Sequence, residues 1–229
     1  MGKWGVTWRK QAPSTILLVV GHCITNPTQC DSRLPITLDM LKELLTVLDV
    51  LFKNYREKVL WKAMFSMAFH GFLRPGELCL SQHTLALDNV FVEPDKSAYV
   101  ITFTSYKHSK PGQLAKLRVP ASSGLFACPV RIMLDYLVVR GGFKGPLFCD
   151  PLGGAITSQA FAKIVDLSVT SLGRVSDFGR YKGHCFRIGA ATTAWLLGVS
   201  EARIKVMGRW SSNAFMKYVR VACMNSIKS

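Results

Sequence analysis

Six residues of this chain have side chains that could act together on a phosphate group. They occur in the order Arg74, Lys107, His184, Arg187, Trp210 and Tyr218. His184 and Arg187 are three positions apart, so a helix would place both on one face. Taken singly, each residue is more simply explained as a solvated, packed or ion-paired side chain; Arg74, for example, could pair with Glu77. Their order and types together make a functional hypothesis.

The chemistry that fits this set is phosphoryl transfer through a covalent intermediate. Two arginines can bind non-bridging phosphate oxygens with their planar guanidinium groups. A lysine can protonate a leaving alkoxide, a histidine can move a proton on or off a hydroxyl, and a tyrosine can be the nucleophile. The sequence has no cluster of carboxylates suited to Mg²⁺, so the side chains themselves would neutralise the phosphate.

Composition and charge restrict the class of partner. Of the 229 residues, 49% are hydrophobic, and 29 Lys+Arg against 14 Asp+Glu give a net charge of +15. The basic residues are spread along the chain, which favours a folded surface that binds a polyanion. Nucleic acid is preferred over a membrane surface, because no basic amphipathic helix with aromatic edges is evident. The seven cysteines form no CxxC pair or zinc-site spacing, so we expect reduced, mostly buried thiols in a cytosolic or nuclear protein.

The periodicity predicts a mainly helical α+β domain. Residues 1–33 show an irregular lead-in or the remnant of an N-terminal region, and 34–222 carry the domain. Thr37 is a predicted N-cap, a second helix ends at Gly71, and a short helix follows in "LRPGELCLSQ". Three short alternating strands, "DNVFVE", "SAYVITFT" and "LAKLRVP", predict a small antiparallel sheet inserted after the third helix.

Helices are expected again from Pro129 onward. The predicted segments are "PVRIMLDYLVVR", "SQAFAKIVDLSVTSL", "CFRIGAATTAWLLG", "SEARIKVMGR" and "NAFMKYVRVA". In the third of these, Gly189, Ala190 and Ala191 would let the helix pack closely on its neighbours. Residues 223–229 are a short C-terminal tail.

Three of these segments resemble sequence boxes of the tyrosine recombinase, or phage integrase, family. "GFLRPGEL" is similar to that family's first arginine box, usually T-G-x-R-x-x-E-L. "HCFRIGAATTAW" resembles its His-x-x-Arg box, and "MGRWSSNAFMKYVR" its closing box. The R-W-x-S and F-x-x-Y-x-R details, with "RLPIT" upstream, are most similar to recombinases of DIRS-like and Crypton-type mobile elements. The resemblance covers about residues 34–222.

The resemblance implies a role for each of these residues, and neither ATP nor a metal. Tyr218 would attack the scissile phosphate and form a 3′-phosphotyrosyl link. The other implied roles are the following: Arg74 and Arg187 bind the phosphate, Lys107 is the general acid, His184 assists proton transfer, Trp210 offers an indole N–H beside the phosphate, and Glu77 is a supporting partner. Lys110 and Arg209 are expected to contact DNA, and Lys110 is the alternative catalytic lysine.

The same resemblance leaves several alternatives open. Relatives carry an N-terminal helical domain that grips the other face of the DNA, and residues 1–33 do not resemble one. The chain could therefore be an active strand-cutting and rejoining enzyme, a domesticated DNA-binding module without turnover, or a type IB topoisomerase-like relaxer. Double-stranded DNA is the expected partner, with self-association on it. The expected location is the nucleus, or the cytoplasm of a prokaryotic source.

Overall fold

The computed structural model describes residues 32–107, 109–122, 127–174, 177 and 179–220. Most of the predicted lead-in 1–33 and all of the tail 223–229 lie outside this range. The described elements are α1 (Leu38–Leu51), α2 (Tyr55–His70), α3 (Pro75–Leu78), β1 (Val90–Val92), β2 (Ala98–Phe103), β3 (Ala115–Pro120), α4 (Pro129–Arg140), α5 (Ser158–Ser171), α6 (His184–Leu196) and α7 (Glu201–Gly208), with 3₁₀ helices at Leu87–Asn89 and Asn213–Tyr218. The strands form one antiparallel sheet in the order β1-β2-β3. The predicted α+β class is confirmed, with the sheet inserted after the third helix.

The helix boundaries follow the predicted signals. The Thr37 hydroxyl accepts the N–H of Met40 at 3.2 Å and caps α1. Helix α2 ends at Gly71, whose amide donates to the carbonyl of Met67. Pro129 is the first residue of α4, where its missing N–H leaves no helical hydrogen bond unmade. Local capping chemistry therefore fixes where these helices start and stop.

Helix α2 runs through the centre of the core. Its residues from Val59 onward are buried with few exceptions, including the polar Ser66 and His70 near its C-terminal end. The ring of Phe65 lies 4.9 Å from that of Phe186 in α6, so the two helices share one aromatic cluster. Because this burial holds α2 in place, the turn that follows α2 and carries Arg74 has a defined position.

Helix α6 packs directly against the backbone of the segment that precedes α1. The amide of Ile36 donates to the carbonyl of Cys185 at 3.0 Å. A Cβ added to Gly189 would lie 1.6 Å from the carbonyl oxygen of Ile36, so only glycine allows this approach. Ala190 and Ala191 are fully buried beside it. The predicted close packing of this helix is confirmed.

The last predicted helix, "NAFMKYVRVA", is wrong as an α-helix. Asn213–Tyr218 form a 3₁₀ helix, and Val219 already has extended backbone at φ −80° and ψ 119°. The amide of Arg220 donates to the hydroxyl of Thr192 rather than to a carbonyl one turn earlier. The β-branched Val219 also favours extended backbone. We call residues 213–220 the tyrosine segment.

Two further sequence expectations concern the described residues. Cys79, Cys128, Cys149 and Cys185 are free thiols and all are buried, as expected. Burial raises the pKa of Cys79 to about 11, which disfavours its reactive thiolate. The remaining three cysteines lie outside the described range. No helix in that range is long and apolar enough to cross a membrane.

Candidate active site

The turn between α2 and α3 presents Arg74 at the edge of the domain. Phe72 in this turn has φ +50°, a left-handed conformation that is costly for a bulky residue. The backbone N–H of Arg74 donates to Glu77 Oε2 at 2.8 Å, and its Nη1 donates to Oε1 at 3.4 Å. The Arg74 side chain is 15% exposed and that of Glu77 is 2% exposed. Glu77 therefore holds Arg74 from the buried side of the turn.

Arg209 binds the other side of Glu77. Its Nη2 lies 2.8 Å from Glu77 Oε2, and its guanidinium also donates to the carbonyls of Gly71 and Phe72 at 3.3 Å each. The group lies 3.8 Å above the ring of Phe103, and its side chain is only 4% exposed. Burial lowers the pKa of Arg209, and Glu77 partly offsets this. In this structure the Arg209 guanidinium is enclosed and bound to protein groups, and the expected DNA contact by Arg209 stays a prediction.

Arg187 is the most deeply enclosed cation of the site. It lies in the first turn of α6 and is 0% exposed. Its two terminal nitrogens donate to the carbonyls of Phe72 and Gly208, the latter at 2.6 Å. Burial and then the nearby charges of Arg74 and Arg209 hold the pKa of Arg187 well below its usual value. Arg187 thus joins the turn after α2 to the end of α7.

Two aromatic rings cover the Arg187 guanidinium. The Trp210 ring centroid lies 3.9 Å from its Cζ, and the Tyr218 ring centroid lies 5.6 Å from it. The Trp210 and Tyr218 rings are themselves 5.2 Å apart. A Cβ on Gly208 would lie 1.7 Å from the Trp210 ring, so glycine there lets the indole fold back over the site. We call this arrangement of Arg187, Trp210 and Tyr218 the stacked cluster.

His184 is the first residue of α6 and is partly exposed. The preceding Gly183 lies so close to Pro75 that an added Cβ would be 2.8 Å from the proline Cγ. This contact places the start of α6 beside the start of α3, which follows Arg74. His184 therefore follows the residue that packs on Pro75 and lies one helical turn before Arg187.

The predicted lysines lie in a different setting. Lys107 and Lys110 are exposed, in the loop 104–114 between β2 and β3, which we call the lysine loop. Lys107 follows the end of β2 at Phe103 by four residues and is closer to the strand than Lys110 is. In the described residues, no hydrogen bond or ion pair joins either lysine to the arginines or to Tyr218. The structure brings together the arginines, Trp210 and Tyr218.

Sequence reasoning missed Thr192 and the role of the backbone carbonyls of Phe72 and Gly208. Thr192 was detectable as a polar residue between the buried alanines of "GAATTAW", although its partner was not. The carbonyls had no detectable signal, because the turns that present them depend on left-handed backbone at Phe72 and Arg209, where φ is +50° and +55°.

The fold is that of site-specific recombinases and integrases. XerH site-specific recombinase bound to difH substrate in a pre-cleavage complex superposes with a TM-score of 0.62 at 16% identity, covering 85% of this chain and 53% of that one. A lambda integrase dimer bound to a COC′ core site gives 0.57 at 14% identity, covering 82% and 48%. The Tn1549 transposon integrase with transposon right-end DNA gives 0.56 at 15%, covering 89% and 66%.

These likenesses establish the fold, and the chain spans about half the length of the XerH and lambda integrase chains. No family model matches the sequence, and no curated protein matches it either. The resemblance of the sequence boxes to tyrosine recombinases therefore agrees with the fold found independently from the structure. The closer likeness to DIRS-like and Crypton-type enzymes stays a prediction.

Proposed function

We propose that this chain is the catalytic domain of a DNA-breaking and rejoining enzyme that works through a 3′-phosphotyrosyl intermediate. The observation that carries the proposal is the stacked cluster. Arg187 in α6, Trp210 after α7 and Tyr218 at the end of the last 3₁₀ helix come together, with the two ring centroids 3.9 Å and 5.6 Å from the Arg187 Cζ. Arg187 also binds the carbonyl of Phe72, in the turn that leads to Arg74. These are the residues that the sequence boxes single out, and the fold is one that recombinases use.

In the proposed reaction, the phenol oxygen of Tyr218 attacks the scissile phosphorus. A P–O bond forms to the tyrosine, the bond to the 5′-oxygen breaks, and Lys107 gives that oxygen its proton. Arg74 and Arg187 neutralise the charge that develops on the non-bridging oxygens. His184 accepts the proton that the phenol of Tyr218 loses. Attack by a 5′-hydroxyl on the phosphotyrosine then reverses the steps and rejoins a strand, with the ester energy conserved.

This reaction requires the stacked cluster to open. Both terminal nitrogens of Arg187 are bound to carbonyls, and its remaining face is covered by Trp210 and Tyr218. A phosphate can reach the guanidinium once these two rings swing away. The free protein is therefore a closed form of the site, and bound DNA would select the open form.

The partner in this proposal is double-stranded DNA, with self-association on it. The net charge of +15 supplies the attraction to phosphates, which predicts affinity that falls steeply with salt. The XerH and lambda integrase neighbours were solved on DNA, the latter as a dimer. The origin we propose is a DIRS-like or Crypton-type element, and the location is the nucleus.

The test uses nicked suicide duplexes of random sequence, incubated with the protein in EDTA. The proposal expects a covalent protein–DNA band on a denaturing gel that Tyr218→Phe abolishes. Tyr55→Phe, at an exposed position at the start of α2, is the matched control and retains the band. DNA binding without any covalent band, in the wild type and across salt concentrations, would overturn the proposal.

A DNA-binding module without turnover is the second candidate. The observation that favours it is the complete burial of Arg187 with both terminal nitrogens occupied. In that case Arg187 would be a structural link between two turns and would never meet a phosphate. Retention of full DNA affinity by Arg74→Ala, with no covalent band from the wild type, would support this candidate.

A further inference from the structure

Thr192 connects α6 to the backbone on both sides of Tyr218. The residue is fully buried in the apolar middle of the helix. Its hydroxyl oxygen lies 2.9 Å from the carbonyl oxygen of Ile188 and 3.2 Å from that of Tyr218. The same oxygen accepts the backbone N–H of Arg220 at 3.1 Å. One side chain thus contacts the tyrosine segment at the proposed nucleophile and two residues beyond it.

The Thr192 hydroxyl oxygen keeps its hydrogen bond from the Arg220 amide whichever acceptor takes the hydroxyl proton. A threonine hydroxyl has a single proton to donate and two lone pairs to accept with. Within a helix that proton is usually given to the carbonyl four residues earlier, and here Ile188 and Tyr218 offer competing acceptors. In either arrangement the oxygen accepts from Arg220. The backbone of the tyrosine segment is therefore held to α6 whichever carbonyl takes the proton.

This attachment does not itself restrain the ring of Tyr218. The hydrogen bonds involve the backbone of Tyr218 and Arg220, whereas the stacked cluster involves the side chains of Tyr218 and Trp210. Opening the cluster can thus occur by side-chain rotation while the backbone stays in place. Because α6 also carries His184 and Arg187, the attachment fixes the nucleophile relative to the helix that binds the phosphate.

We propose that Thr192 is a positioning residue that sets the attack geometry of Tyr218. The inference rests on the proposed function, since it affects the rate only if Tyr218 is the nucleophile. Displacement of a reacting group by about 1 Å costs on the order of 10²-fold in rate. Thr192→Val keeps the shape of the side chain and removes the hydroxyl. It should lower the single-turnover rate of covalent complex formation by about 30-fold or more, with DNA affinity within about twofold of the wild type.

Two variants separate positioning from general damage to the helix. Thr192→Ser restores the hydroxyl and should recover the rate to within a few-fold of the wild type. Thr193→Val makes the same chemical change at the next residue, whose side chain makes no hydrogen bond to the described part of the tyrosine segment. It should leave the rate unchanged. Equal losses in Thr192→Val and Thr193→Val would overturn the proposal.

A second reaction distinguishes misplacement of the tyrosine from damage to the phosphate site. A DNA strand ending in a 3′-(4-nitrophenyl phosphate) can be joined to a 5′-hydroxyl strand without Tyr218. The 5′-oxygen forms the new bond to phosphorus, 4-nitrophenolate leaves, and the proton of the hydroxyl passes to the site or to water. Thr192→Val should join these ends at the wild-type rate. Loss of joining equal to its loss of cleavage would assign Thr192 a merely structural role.

Failure of the proposed function would be recognised separately. If the wild type forms no covalent complex, the enzymatic proposal falls, and the attachment itself is then measured by amide hydrogen exchange. Thr192→Val should speed exchange of the Arg220 amide by about tenfold relative to Thr193→Val, because its acceptor is gone. Unchanged protection of that amide would overturn the attachment regardless of activity.

Discussion

The arginine region and the lysine loop are both required by the proposed chemistry, yet they are built in opposite ways. The arginine region consists of Arg74, Glu77, Arg187 and Arg209, together with helix α6. In the arginine region, Arg187 is 0% exposed and Arg209 is 4% exposed, and both donate to backbone carbonyls, that of Phe72 among them. In the lysine loop, Lys107 and Lys110 are exposed, and Gly112 at its tip has open space around it. One region is held by many contacts and the other by few.

The difference follows from what each region has to do. Three arginines gathered around one buried carboxylate repel one another, so they stay together only if many contacts fix them. The carbonyls of Phe72 and Gly208 supply those contacts. A general acid, by contrast, must approach the leaving oxygen only when DNA is present. An exposed loop suits that task, because it can contact the DNA when the DNA binds.

The largest expected difference between the two regions comes from adding one methyl group to a glycine in each of them. Gly189→Ala would place a Cβ 1.6 Å from the Ile36 carbonyl, so α6 and its cations must shift. We expect a loss of about 4 kcal/mol or more in unfolding free energy. Gly112→Ala, in open space at φ +75°, should cost only about 1 kcal/mol for its left-handed backbone. Urea denaturation of both variants checks this, and equal losses would contradict the difference between the regions.

A smaller effect is expected when the shared carboxylate of the arginine region is neutralised. Glu77→Gln keeps the size of the side chain but leaves Arg74 and Arg209 without their counter-charge. Breaking a buried ion pair from one side should cost about 3 kcal/mol in unfolding free energy. The matched change is Glu93→Gln, which breaks a half-exposed pair with Arg118. It should cost far less, because water solvates both groups, and similar losses would show that burial is not the cause.

The sequence predicted the elements of the arginine region but not the way they join. The caps at Thr37 and Pro129 and the strands of the sheet are local signals, and the structure confirms them. Arg209 was expected to contact DNA, whereas in this structure it is enclosed. Its burial depends on Glu77, 132 positions earlier, and on the ring of Phe103. Contacts of such separation leave no periodic pattern in a sequence.

The tyrosine segment illustrates the same limit. Its composition favours an amphipathic helix, and the sequence pattern therefore predicted a helix over the whole of "NAFMKYVRVA". The hydroxyl of Thr192 captures the amide of Arg220 and ends the helical turn at Tyr218. The decision is made by a tertiary hydrogen bond, not by propensity. Site residues could be listed from the sequence, whereas their closed arrangement could not.

A third comparison concerns how low pH affects the stability of the fold. His70 ends α2 beneath the arginine turn, and its burial lowers its pKa to about 4, although a hydrogen bond to the Ser66 carbonyl opposes this. In the unfolded chain His70 takes up a proton near pH 6.5, whereas in the folded chain it stays neutral at that pH. The free energy of unfolding is therefore fully retained above pH 6.5 and decreases as the pH falls below it. Between pH 7 and 5 we expect a loss of about 2 kcal/mol.

The loss should disappear in His70→Asn and persist in His83→Asn. His83 lies near the lysine loop, where its Nδ1 is 2.6 Å from Ser105 Oγ. Denaturant melts at pH 7, 6 and 5 measure the slope for each variant. Acid sensitivity that survives in His70→Asn would assign the effect to other groups and separate it from the arginine region.

The smallest change in stability is expected at the lysine loop, where the change in chemistry should be large. Lys107→Ala removes an exposed side chain, so unfolding free energy should stay within about 0.5 kcal/mol of the wild type. Loss of a general acid should slow covalent complex formation by about 10²–10⁴-fold. A substrate with sulfur in place of the 5′-bridging oxygen should restore the rate, because a thiolate leaves without a proton.

Lys110→Ala should instead weaken DNA binding and lower its salt slope by about 1. If Lys110→Ala shows the sulfur-rescued defect, the catalytic lysine is Lys110 and the loop folds onto DNA in a different register. Either result sharpens the contrast, since a residue that contributes nothing to the fold would control the step that the rigid arginines only prepare.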